Sequence, residues 1–136
     1  MAGYASAQRA GTSVLTVNVT GFRNATGRVD VLLFNGPKGF PDDKPRSLDV
    51  GEVQIDPKTL AAQVIFRDLP QGAYAVTVLH DENMNRKLDT NLFGIPREGY
   101  GASMNPPKMH RAPRFDEAKF FLSPRGRVIQ ITLIYY

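Results

Sequence analysis

Oxygen-bearing side chains recur through His80-Asp81-Glu82-Asn83-Met84-Asn85-Arg86-Lys87-Leu88-Asp89, directly after an apolar run. With Asp81 as position one, Asn83, Asn85 and Asp89 fall at positions three, five and nine, and the Lys87 carbonyl at seven. That is the spacing of a calcium loop, and Ca²⁺ takes about six to eight hard oxygen ligands. Leu92 stands where such a loop carries its bidentate glutamate, and Arg86 where it carries a glycine. Glu82 or Glu98 would have to complete the shell. The other chemistry open to the same residues needs no ion: Asp and Asn side chains at this spacing form Asx turns that order a loop through backbone hydrogen bonds. Charge leans toward the second reading, because Arg86 and Lys87 offset two of the three acids Asp81, Glu82 and Asp89.

His80 beside Asp81, with Glu98 downstream, is also the raw material of a hydrolase. No serine motif accompanies them, and His110 is the only other histidine. Cysteine is absent, which excludes a thiol nucleophile, a thiolate zinc site and a disulfide framework. The carboxylate pairs Asp81/Asp89 and Asp42/Asp43 suit a glycosidase only at a separation the sequence does not fix. No catalytic residue is assigned. His80, Asn91, Glu98 and Tyr100 are expected to order the loop or meet a ligand. Cofactor expectations are none, or Ca²⁺ at Asp81, Asn83, Asn85 and Asp89 with Glu98. The segment 92–114 adds Phe93, Tyr100, Met104 and Met109 near Arg97, Arg111 and Arg114, a mixture suited to a small molecule or a protein partner. Its alternative is a lid over one end of the fold.

Short strands must position these groups. Residues 13–20 alternate Leu15, Val17 and Val19 against Thr16, Asn18 and Thr20, the period of a half-buried strand. A turn at 21–27 leads to a second strand at 28–35, where Val29, Val31 and Leu33 share a face. The proline-rich stretch 36–46 is expected as an ordered loop pinned by Phe40. Strands follow at 48–56 and 60–66. Leu69-Pro70-Gln71-Gly72-Ala73-Tyr74 then reads as a corner whose tyrosine hydroxyl reaches backbone. Residues 74–80 are apolar on both faces, which predicts a central strand delivering His80. Residues 92–103 are too rich in glycine for a regular element and are expected as a long loop. Two further strands, within 115–122 and over 127–136, bring the total to seven. No window has a helical period, so the fold class is all-β, a single antiparallel sandwich of about seven strands.

Composition agrees with one domain: 136 residues, 42% of them hydrophobic, fill one core. The net charge of +4 invites a nucleic-acid reading, but the basic residues are scattered and do not interleave with aromatics, so none is expected. No apolar run approaches the roughly 20 residues that span a bilayer. Residues 1–12 are expected as a disordered tail or signal remnant, with the domain over 13–136, because Ala5-Ser6-Ala7-Gln8 has the small-x-small look of a signal-peptide end.

The combination of Leu69-Pro70-x-Gly72-x-Tyr74, His80-Asp81-x-Asn83-x-Asn85, Leu88-Asp89-x-Asn91 and Gly94-Ile95-Pro96-x-Glu98-Gly99-Tyr100-Gly101 resembles a bacterial family of exported proteins, domain of unknown function two-one-four-one. The likeness covers residues 13–136. It implies a prealbumin-like sandwich, related in shape to carboxypeptidase regulatory domains, a periplasmic or secreted location, and no established activity. The expected function is an exported, non-catalytic binding or accessory module of unknown ligand, whose loop is either ion-free or a weak Ca²⁺ site. A hydrolase using His80, Asp81 and Glu98, and a purely structural surface domain, are the alternatives.

Overall fold

The computed structural model describes residues 11–84, 98–107 and 111–135. Eight strands form two packed sheets: β1 Thr12–Thr20, β2 Arg28–Phe34, β3 Asp49–Val53, β4 Ala62–Pro70, β5 Gly72–Asp81, β6 Tyr100–Ala102, β7 Phe120–Leu122 and β8 Arg127–Thr132. The three-stranded sheet runs β4-β1-β8 and the larger one β3-β2-β5-β6, with β7 also paired to β5. This is the all-β sandwich that the alternating pattern implies. The eighth strand is β6, which lies where glycine content suggested loop; it pairs Tyr100 with Leu79, Gly101 with Val78 and Ala102 with Thr77. Among the described residues every strand pair is antiparallel except β1 with β8, which run parallel from Leu15/Arg127 to Thr20/Thr132. Parallel neighbours need a long connection, and these two are joined by nearly the whole chain.

Between the sheets, Leu15, Val17 and Val19 of β1 meet Val29, Val31 and Leu33 of β2 and Val76 and Val78 of β5, with Ile129 and Ile131 of β8. The other face of the larger sheet is covered too. Leu32, Phe34, Ala75 and Leu79 lie under Phe115 and Ala118 of the single-turn helix α1, Phe115–Ala118, and under Phe40. Phe40 packs edge-on against Phe34 at 5.3 Å and Phe115 at 5.9 Å between ring centroids, so the proline-rich loop is pinned as its composition predicts. Two-sided cover explains why β5 lacks polar alternation. The corner before it is a tyrosine corner: Tyr74 donates its hydroxyl proton to the Pro70 carbonyl.

Candidate functional site at the end of β5

His80 is the penultimate residue of β5, the strand buried on both faces, and its ring is fully buried. Its Nε2 lies 2.8 Å from the Thr26 carbonyl, and its Nδ1 lies 2.8 Å from the Tyr135 hydroxyl. A carbonyl only accepts, so in the neutral ring Nε2 carries the proton and Nδ1 accepts from Tyr135. The same hydroxyl accepts the Arg23 backbone N–H at 3.1 Å, which leaves its own proton directed at His80. Phe22 and Tyr135 pack edge-on against the imidazole, with centroids at 5.3 and 6.0 Å. Burial pushes the Tyr135 phenol above its ordinary pKa.

Glycine makes this convergence possible at two places. Gly27 has φ +73, and an added Cβ would run into the Asp81 carbonyl oxygen and lie 2.8 Å from Glu82 Cα, so the 21–27 turn rests directly on the turn after β5. A Cβ on Gly99 would lie 2.5 Å from the Tyr135 ring. The chain at 98–100 is further fixed by backbone: the His80 N–H donates to the Gly99 carbonyl at 2.8 Å, and Tyr100 exchanges two bonds with Ile134 at 3.0 and 2.7 Å.

Glu98 does reach the loop, as a completed shell would require, but its carboxylate accepts the Glu82 backbone N–H at 2.9 Å. Glu82 in turn takes the Arg23 guanidinium by two bonds and the Asn24 amide at 2.9 Å. The Arg23 side-chain hydrogen bond holds the Glu82 carboxyl below the ordinary range, against the opposing effect of burial and with help from Asn24. Arg23 also sits 4.6 Å over the Tyr135 ring, a cation–π contact that closes the cluster.

Asp81 is buried, and β2–β5 pairing sets it directly opposite Arg28. Arg28 Nε is 4.0 Å from Asp81 Oδ2 and 3.6 Å from Asp30 Oδ1, while its Nη2 donates to Glu52 at 2.9 Å. Lys44 holds the other Asp30 oxygen at 2.7 Å. A guanidinium beside Asp81 opposes a cation there. Among the described residues no group of three or more His, Cys, Asp or Glu side chains is placed to hold a metal ion.

Of the residues singled out by spacing, His80, Asp81, Asn83, Glu98 and Tyr100 are brought to this end of the sandwich. Asn85, Asp89 and Asn91, with Arg86, Lys87, Phe93, Arg97, Met109 and His110, lie outside the described residues. Tyr100 is buried in the outer apolar layer, whereas Met104 is exposed. Arg111 forms a two-point ion pair with Glu117. Tyr135, Thr26, Arg23 and Arg28 are the participants that spacing could not find.

A family model described as "Uncharacterized protein conserved in bacteria (DUF2141)" matches residues 17–130. No curated protein and no solved structure matches the chain.

Proposed function

We propose that this chain, which belongs to the bacterial family DUF2141, is an exported, non-catalytic β-sandwich module that binds a ligand or partner at the end carrying His80 to Tyr100. One observation carries the non-catalytic part: among the described residues, each member of the His80, Asp81 and Glu98 set already has a protein partner. His80 has Tyr135 and Thr26, Glu98 has the Glu82 N–H, and Asp81 faces Arg28. A general base must reach a substrate proton at about 2.6–3.2 Å. A fully buried imidazole committed on both nitrogens is built for holding strands together. Export is supported by Ala5-Ser6-Ala7-Gln8, which has the small-x-small look of a signal-peptide end.

Chromogenic esters and glycosides test this reading, with no turnover above buffer expected from the wild type. Turnover that disappears in Glu98→Gln would replace it with the hydrolase. Fractionation of cells expressing the full-length gene product tests export, with recovery outside the cytoplasm expected. Calcium enters only as weak occupancy of the Asp81, Asn83, Asn85 and Asp89 loop, with Kd about 10⁻⁴–10⁻³ M. Calorimetric titration with CaCl₂ decides it, a flat trace at millimolar calcium removing the ion from the account.

A further inference from the structure

A strand at the edge of a sheet presents unpaired N–H and C=O groups and is a template for another strand unless it is blunted. Among the described residues four edges are managed. On β8 the Asn105 side chain stands in for a neighbouring strand, donating from Nδ2 to the Gln130 carbonyl at 3.1 Å and accepting the Thr132 N–H at 2.9 Å. On β6 the two bonds between Tyr100 and Ile134 close the edge. The three-residue β7 has its Phe121 carbonyl occupied by Arg127 Nη1 at 3.1 Å. The five-residue β3 carries Asp49 and Glu52 and a central Gly51, all unfavourable to strand addition.

The nine-residue β4 has none of these devices along its middle. Among the described residues it pairs only with β1, and residues 62–66 contain no proline, lysine or acid. Its irregularity is confined to the far end, where Asp68 takes φ +56 and the β1 register shifts. Along the regular part Val64 and Phe66 are buried in the core, while Ile65 points outward at 41% exposure.

We propose that β4 is a self-association edge, pairing antiparallel with β4 of a second copy about a two-fold axis midway between the two Ile65 residues. Directly opposed residues in an antiparallel pair share a face, so a dyad perpendicular to the sheet must pass midway between the two copies of one residue. Centred on Ile65, it sets the two exposed isoleucines against each other and Val64 against Phe66 on the core face. Gln63 of each copy then faces Arg67 of the other, where the irregular end of β4 begins. No like charges are opposed, the arrangement that cross-strand pairing favours. Shifting the dyad to Val64 would leave each Ile65 facing Gln63 and forfeit the apolar pair. The result is a continuous six-stranded sheet across two sandwiches, and it uses none of the groups around His80.

Sedimentation of the full chain over a range of concentrations tests the proposal. A reversible dimer is expected, weakened about tenfold or more by Ile65→Lys, which opposes two ammonium groups at the dyad. Ile65→Glu should dissociate it likewise, and mixing the two variants should restore a dimer by opposing Lys to Glu. Circular dichroism melting confirms that both variants fold, as an outward-facing position allows. A chain that stays monomeric at all concentrations, or a dimer whose Kd Ile65→Lys leaves unchanged, overturns the assignment. So does a mixture that fails to reassociate.

Discussion

The Nδ1 atom of His80 and the hydroxyl of Tyr135 stand 2.8 Å apart across 55 residues of sequence. That bond ties the end of the central strand to the segment that follows β8. With Thr26 on the opposite nitrogen, one imidazole joins three parts of the chain at the end where Glu98 also arrives.

Removing the hydroxyl with Tyr135→Phe leaves Nδ1 buried without its donor. The desolvation of such a group costs about 1–3 kcal/mol. Urea denaturation should show a lower midpoint with an unchanged slope, because the ring itself and its packing remain.

Gly27→Ala and Gly99→Ala should both destabilise, and unequally. At Gly27 the new methyl meets the backbone of Asp81 and Glu82 at a positive φ, and neither can withdraw. At Gly99 it meets the Tyr135 ring, a side chain that can shift at the expense of its bond to His80. Overpacking of the second kind costs about 1–3 kcal/mol. Thermal melting should rank Gly27→Ala below Gly99→Ala, and both below wild type.

The fold was largely legible because it rests on period-two alternation, which residues such as Leu15, Val17 and Val19 display without ambiguity. The unusual apolarity of β5 correctly marked it as central, and Tyr74 correctly marked the corner. The site was half legible. Spacing drew attention to His80, Asp81 and Glu98, but spacing within one loop says nothing about what another strand brings opposite. Arg28 meets Asp81 through strand register, and Tyr135 meets His80 through the parallel placement of β8 beside β1. Both are long-range facts. The extra strand β6 escaped notice because Gly101 weakens strand propensity. An added Cβ there would meet Ile131 at 2.7 Å, so the glycine belongs to close packing.

Arg28→Ala should be among the most damaging surface-adjacent substitutions. It strips the guanidinium from between Asp30 and Asp81, both buried, and leaves only Lys44 on Asp30. Removing a charged partner from a buried carboxylate that keeps other contacts costs about 1–3 kcal/mol. Adding Asp81→Asn should recover part of the loss, as a double-mutant cycle in denaturant would measure.

Acid should loosen the segment around α1 later than ordinary carboxylates suggest. The Arg111 side chain, followed by the Arg114 backbone N–H, pulls the Glu117 carboxyl down to about 2. A carboxyl depressed on folding contributes stability that is present above its unfolded value, near 4.5, and is lost as pH falls toward about 2. Carboxyl-detected NMR titration should find Glu117 still ionised at pH 3, and Arg111→Ala should bring it back toward the ordinary range.

His80 is a tie between strands with both of its ring nitrogens committed. Long-range ¹H–¹⁵N correlation of the neutral imidazole reads this directly. The predicted result is a single Nε2–H tautomer, with Nδ1 showing the shift of a hydrogen-bond acceptor. A ring protonated on Nδ1, or one exchanging between tautomers as a solvent-accessible catalytic histidine does, would contradict it.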